Sequence, residues 1–265
     1  MKQFILKKEP GKDNTIQLEG TDYRYLVRVR RLAVGEFFNA LLPDGTETQV
    51  QILSIDNNTL IGKCAITEDL VKSFTIIPPI ILFQAMPKGD KMDLIVRQAA
   101  EGGITEIVPF YSEYSIGKVK PDSQKFLRWE RIIKEARQQS SSKIITTIHE
   151  PIKIAELFQY WNKLNKMKTL GLLFHHPEPK YLNAGEGLEQ KSLHGYLNSV
   201  PETVVFAIGP EGGFSKKEVS IFMENNFKPI TIGNEILRTE TAALYCAAAI
   251  RILLLEKNSW ELKQT

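Results

Sequence analysis

The sequence predicts an α/β domain with a mostly parallel sheet, preceded by a small β-barrel. After about residue 75, strand-like runs alternate with helical stretches, the pattern of repeated βα units. Before about residue 72, short β-prone runs are separated by hairpin turn signals. The length, 265 residues with 43% hydrophobic and 25% charged side chains, allows one large or two ordinary domains with a packed core. The same composition excludes a disordered chain, a collagen-like repeat and a disulfide-dense miniature fold.

In the first part, Phe37 to Leu42 leads through Pro43-Asp44-Gly45 to Thr48 to Ile55, then through Asp56-Asn57-Asn58 to Thr59 to Ile66. Asp-Gly and Asn-Asn suit the left-handed positions of tight hairpins. A boundary is expected near Ser73, dividing the chain into 1–72 and 73–265. In the second part the strand runs are Ile80 to Ala85, Ile104 to Phe110, Thr169 to Phe174, Thr203 to Ile208 and Pro229 to Ile232. Residues 177–201 read as a surface excursion with a short helix. The helix Gln124 to Gln138 places Phe126, Trp129, Ile132, Ile133 and Ala136 at core-facing spacing, with Arg128, Arg131 and Lys134 elsewhere on its circumference. The last helix, Ala242 to Leu255, is apolar nearly all round. It therefore either runs through the domain centre or also meets a second subunit.

The formal charge of +3 leans only weakly toward anionic partners. Cys64 and Cys246 are far apart in the sequence, which indicates neither a disulfide framework nor a thiolate zinc site. The opening apolar run is too short for a signal peptide, and Ala242 to Leu255 is too short to span a bilayer and contains Arg251. A cytoplasmic protein is expected. His149, His175, His176 and His194 show no metal-ligand spacing, and no G-x-S-x-G nucleophile elbow occurs.

The sharpest local signal is Ile208-Gly209-Pro210-Glu211-Gly212-Gly213-Phe214-Ser215-Lys216-Lys217-Glu218. Ser215 and Glu218 form a capping box, with Phe214 and Val219 as its hydrophobic staple, so a helix begins at Ser215. The order is strand, glycine-rich loop, helix. The glycines either admit a ligand close to the backbone or simply make a tight turn. No Walker or dinucleotide fingerprint accompanies them.

The second signal is Ile236-Leu237-Arg238-Thr239-Glu240-Thr241-Ala242, just before the last helix. Thr239 or Thr241 suits a helix cap and Glu240 suits the positive helix start. Arg238 either pairs with Glu235 or Glu240 or serves a ligand. The third is a basic stretch, Tyr23 to Leu32, holding Arg24, Arg28, Arg30 and Arg31. If helical, it sets Arg24, Arg28 and Arg31 on one face and Tyr25, Val29 and Leu32 on another. That face either binds phosphates or is merely solvated. Lys88, Lys91 and Arg97 extend the basic footprint into the second part.

Together, Met86-Pro87-Lys88-Gly89-Asp90-Lys91-Met92-Asp93, Glu101-Gly102-Gly103-Ile104, Ser112-Glu113-Tyr114-Ser115, Arg128-Trp129, Ile208 to Phe214 and Leu237 to Ala242 resemble the RsmE family. These are the 16S ribosomal RNA (uracil-N3)-methyltransferases of the SPOUT superfamily. The resemblance extends to Arg28-Val29-Arg30-Arg31-Leu32 and Pro43-Asp44-Gly45. It implies a PUA-like β-barrel for RNA in 1–72, and in 73–265 a domain whose chain forms a trefoil knot. It further implies S-adenosylmethionine as cofactor, a homodimer, and 16S rRNA within the small ribosomal subunit or its precursor as partner.

The cofactor residues implied are Leu173, Phe174, His175, Ile208, Gly209, Pro210, Gly212, Gly213, Ile232, Ile236, Leu237, Arg238, Thr239, Thr241 and Ala242. Arg24, Arg28, Arg30, Arg31, Lys88 and Lys91 are the expected RNA contacts. Arg238 is the expected stabiliser of charge on a uracil carbonyl, with Glu211 or Glu240 as proton acceptor. One departure is notable: relatives commonly carry an arginine where this chain has Ser140-Ser141-Ser142-Lys143. The rival readings are a SPOUT enzyme for another rRNA or tRNA base, and a non-catalytic RNA-binding or ribosome-assembly factor.

Overall fold

The computed structural model describes residues 4–65, 77–115, 124–164, 168–175, 192–231, 233 and 235–261, with side chains described as far as residue 256. The chain divides into two units. Met1–Phe74 with Arg137–Ile145 forms the first, and Thr75–Ala136 with Thr146–Thr265 the second. The expected boundary at Ser73 lies outside the described residues, and hydropathy patterning carries no sign of the return of Arg137–Ile145 to the first unit.

The first unit is built on β1 (Phe4–Ile5), β2 (Thr15–Glu19), β3 (Phe37–Leu41), β4 (Glu47–Asp56) and β5 (Thr59–Ala65). They form one five-stranded sheet in the order β1-β3-β4-β5-β2, antiparallel except for the β1–β3 pair. The hairpin between β4 and β5 turns on Asn57 and Asn58, both at positive φ, 40° and 66°. Two consecutive left-handed residues match the right-handed twist of the flanking strands. One face alternates into a core of Phe4, Phe38, Val50, Ile52, Leu60 and Cys64. Ile66 lies outside the described residues.

The basic stretch follows α1 (Gly20–Tyr23) as a π-helical segment, Arg24–Val29. The wider winding shows in the Arg30 N–H bonding the Tyr25 carbonyl, five residues back, at 2.9 Å. Tyr23 and Leu26 are the buried residues, and Val29 is 69% exposed rather than sharing an apolar face with Tyr25 and Leu32. Helical winding stops at Val29, and Arg31 has φ 56°. The expected three-arginine helical face is therefore replaced by a shorter arrangement in which Arg24, Arg28 and Arg31 are exposed. Arg30 is half-buried, and its Nη1 is buried without a hydrogen-bond partner among the described residues.

The second unit holds β6 (Ile80–Ala85), β7 (Glu106–Tyr111), β8 (Thr147–Ile148), β9 (Ile152–Lys153), β10 (Thr169–Phe174), β11 (Thr203–Ile208) and β12 (Lys228–Ile230). Its seven-stranded sheet runs β12-β10-β11-β6-β7-β8, with β9 also on β7, and every pairing is parallel. All six residues of β6 are buried because helices cover both faces, which is why the strand reads as a continuous apolar run. On one face, Ile80, Leu82 and Phe206 pack with α2 (Lys91–Glu101), α3 (Gln124–Ser140) and α7 (Thr239–Glu261). On the other, Ile81, Phe83 and Val205 pack with α4 (Ile154–Lys163) and α6 (Lys216–Glu224). The short α5 (Leu193–Tyr196) falls in the expected excursion, of which residues 176–191 lie outside the described set.

All five core positions expected on α3 point inward. Strand β7 starts at Glu106 rather than Ile104, which is buried just ahead of it. The expected Pro229 to Ile232 becomes Lys228–Ile230, and Ile232 is outside the described residues.

Candidate active site

Parallel strands present their carboxyl ends together, and ligands of open α/β sheets bind there. Phe174, Ile208 and Gln84 stand in register across β10, β11 and β6. The segments Leu173 to His175 and Ile208 to Gly213 thereby lie side by side. The His175 N–H bonds the Ile230 carbonyl at 3.2 Å, bringing the end of β12 to the same place.

The glycine-rich loop closes on itself through a 2.9 Å bond from the Gly213 N–H to the Pro210 carbonyl. Gly213 adopts φ 69°, which disfavours any side chain, and a Cβ on Gly209 would stand 3.1 Å from the Gly213 backbone. A Cβ on Gly212 would meet the Tyr114 side chain at 3.1 Å. Loop packing thus accounts for Gly209 and Gly212, while the space beside Gly213 is open.

The helix after the loop is capped as its sequence predicts. The Ser215 hydroxyl accepts from the Glu218 N–H at 3.2 Å, and the Glu218 carboxylate accepts from the Ser215 N–H at 2.9 Å. Glu218 also accepts from the Glu113 N–H at 2.8 Å, which fastens the turn bearing Tyr114 to the loop.

Helix α7 begins at Thr239, whose side chain is engaged elsewhere than in a cap. Its hydroxyl donates to the Gly209 carbonyl at 2.7 Å and accepts from Gln84 Nε2 at 3.0 Å. Gln84 is fully buried and also donates to the Ala85 carbonyl, while its Oε1 is buried without a hydrogen-bond partner among the described residues. Sequence reasoning missed Gln84 as a site residue.

A second tie lies nearer the surface. Lys91 Nζ stands 2.8 Å from Glu211 Oε1 and 3.6 Å from Glu240 Oε2, while the Lys88 N–H donates to Glu211 at 3.1 Å. The Glu211 bond holds the Lys91 ammonium above its ordinary value. Partial burial works to raise the Glu211 carboxyl, but the Lys91 hydrogen bond and backbone donors outweigh it and keep Glu211 below the usual carboxylate range. Lys91, expected to contact RNA, joins the loop to α7 in this structure, and Glu211 is a loop anchor with weakened basicity. Lys88 is exposed.

Arg238 is exposed and forms no ion pair among the described residues, so neither Glu235 nor Glu240 claims it. Ile236 is 83% exposed, Leu237 half-buried, Thr241 exposed and Ala242 partly buried against the core. Arg24, Arg28, Arg30 and Arg31 belong to the first unit. There, Lys143 pairs with Glu47 at 3.0 Å, giving the residue in the departing segment a structural partner. Both cysteines are buried and free, and no group of three or more metal-ligating side chains occurs among the described residues.

Residues 76–251 match the RNA methyltransferase domain family and residues 18–63 the RNA methyltransferase PUA domain family. Ribosomal RNA small subunit methyltransferase E of Synechocystis sp. is 30% identical over 254 residues, covering 95% of this chain and 78% of that protein. The protein of that name from Aquifex aeolicus is 31% identical, with 91% and 95% covered. The crystal structure of ribosomal RNA small subunit methyltransferase E from Neisseria gonorrhoeae bound to S-adenosyl methionine shares the fold. Its TM-score is 0.77 at 24% identity, with 96% of this chain and 98% of that one covered. Fold and matched domains define an RNA methyltransferase. The chain belongs to the ribosomal RNA small subunit methyltransferase E family.

Proposed function

We propose that the protein transfers a methyl group from S-adenosylmethionine to N3 of a uridine in the decoding region of 16S rRNA, in the cytoplasm, as a homodimer. The observation that carries this reading is the meeting of Leu173 to His175, Ile208 to Gly213 and Arg238 to Ala242 at the carboxyl ends of β10, β11 and β6. In this reading the chain from β10 to α7 is knotted as a trefoil, and the first unit's sheet is a PUA-like barrel that holds RNA.

The residues present fit the cofactor. The loop leaves space beside Gly213, and Gln84 keeps a buried carbonyl oxygen without a donor among the described residues at the same strand ends. S-adenosylmethionine supplies an electrophilic methyl group when bound. The protein's own residues position the base in line and take its N3 proton, and positioning supplies much of the acceleration. Arg238, exposed and outside any ion pair among the described residues, stabilises the negative charge that develops on a uracil carbonyl. Lys91 stands 2.8 Å from Glu211 but 3.6 Å from Glu240 Oε2, and this looser pairing supports Glu240 over Glu211 as the proton acceptor. The dimer reading rests on α7, where Leu244, Tyr245, Ile252 and Leu255 are 40%, 53%, 53% and 37% exposed.

Nucleoside mass spectrometry of 16S rRNA from cells with and without the protein tests the assignment. Loss of one N3-methyluridine on deletion, restored by the purified protein with S-adenosylmethionine, is expected. An unchanged 16S profile alongside a lost modification in tRNA or 23S rRNA overturns it.

A further inference from the structure

Helices α2 and α3 border an open cleft of about 700 Å³ that the cofactor reading does not use. Lys125, Arg128 and Arg131 line it at i, i+3 and i+6 on α3, with Leu127 beside them and Asp90 and Asp93 on the opposite wall. The stripe follows from the amphipathic helix: Trp129, Ile132, Ile133 and Ala136 occupy the buried face and turn these cations outward.

Two of the cations are held in place. Trp129 Nε1 donates to Asp93 Oδ1 at 2.9 Å, and Arg128 Nη2 stands 2.6 Å from Asp93 Oδ2. Asp93 is thus engaged on both oxygens. Lys125 Nζ donates to the Gly89 carbonyl at 3.0 Å. Arg131 is exposed and forms no ion pair among the described residues. A cleft with one uncommitted guanidinium, two pre-placed cations and a half-exposed leucine suits a ribose-phosphate segment. Arg forks take the phosphate while guanidinium planes and aliphatic surface take sugar or base. Gly89 also follows Lys88, whose N–H holds Glu211, so the cleft adjoins the glycine-rich loop.

We propose that this cleft binds the ribose-phosphate backbone of the RNA strand flanking the target nucleotide, with Arg131 as its principal phosphate contact. The proposal rests on the rRNA methyltransferase reading. Its test compares wild type with Lys125→Ala/Arg131→Ala and Arg131→Lys, using small-subunit RNA. Direct RNA binding and methylation are followed against salt, and S-adenosylmethionine affinity is measured by calorimetry.

The double variant is expected to flatten the slope of log affinity against log salt by about 1.4, from about 0.7 per single-strand contact. It should raise the KM for RNA about tenfold or more, with kcat at saturating RNA and cofactor affinity retained. Arg131→Lys should recover most of the loss. An unchanged slope and KM in an active enzyme overturn the cleft assignment, as does a parallel loss of cofactor binding. Reduced activity only on assembled subunits, with wild-type affinity for naked RNA, assigns the cleft to a ribosomal protein and also overturns it. A wild-type protein that binds RNA but methylates no 16S nucleotide defeats the function reading instead.

Discussion

The Thr239 hydroxyl hydrogen-bonds the Gly209 carbonyl at 2.7 Å, joining the first residue of α7 to the first residue of the glycine-rich loop. A hydroxyl has one proton to give, so the Gln84 amide, 3.0 Å away, must be the donor of the second bond. Thr239→Val removes both bonds while keeping the shape, leaving the half-buried Gly209 carbonyl without this donor and one N–H of the buried Gln84 amide without its partner. A loss of about 1–3 kcal/mol in denaturant unfolding is expected for each unsatisfied group. S-adenosylmethionine affinity should fall with it, and Thr239→Ser should restore both.

Gly212 faces Tyr114 rather than open space. Gly212→Val should overpack that contact, at a cost of about 1–3 kcal/mol, and weaken cofactor binding. Adding Tyr114→Ala relieves the crowding, so calorimetry should show the double variant binding more tightly than Gly212→Val alone.

Lys91→Met leaves Glu211 and Glu240 without their shared cation. Glu211 is held below the ordinary carboxylate value of 4.5, so its contribution is present above that value and is lost as pH falls through its folded pKa. Lys91 is held above the ordinary lysine value of 10.5, so its contribution is complete below that value and is lost as pH rises through its folded pKa. The Tm difference between wild type and variant should therefore be largest between these two values and shrink at both ends. A pH-independent difference would show that the pair does not stabilise the folded protein.

Arg24→Ala/Arg28→Ala removes two exposed cations from the first unit. The salt slope for RNA should flatten by about 0.7 per lost contact, with cofactor affinity retained. Arg30→Ala should act differently, through lost packing, because its Nη1 is buried. A lower Tm with little change in salt slope is the expected signature.

Ala248 is exposed on the same side of α7 as Leu244, Tyr245, Ile252 and Leu255. Ala248→Glu should leave each protomer folded by circular dichroism and abolish dimerisation, since the carboxylate would be desolvated only in the dimer. Sedimentation of a fully active wild-type monomer at micromolar concentration would refute the dimer.

What sequence disclosed here was local or periodic. Ser215 and Glu218 announce their helix start three residues apart, and Asn57-Asn58 announces its hairpin. Strands β6, β10 and β11 stand out because burial on both sheet faces makes them nearly continuous apolar runs. What stayed hidden depends on distant partners. Gln84 is one polar residue in an apolar run, and its partner Thr239 lies 155 residues away. Lys91 reads as part of a basic patch until the fold brings Glu211 and Glu240 beside it. The two-residue strands β1, β8 and β9 are too short to carry a period, and π-helical winding has no distinct residue pattern.

Gly45, at φ 90°, lies so close to the Lys143 carbonyl that a Cβ there would stand 2.6 Å from it. Lys143 belongs to the Arg137–Ile145 segment that completes the first unit. During synthesis, then, emergence of Phe74 is not enough to finish that unit. The nascent chain must wait until Ile145 has left the exit tunnel, several seconds later at about 5–20 residues per second. Throughout that interval the turn around Gly45 lacks the Lys143 carbonyl that packs against it, and a stall between these two points would leave the first unit's sheet without its closing segment.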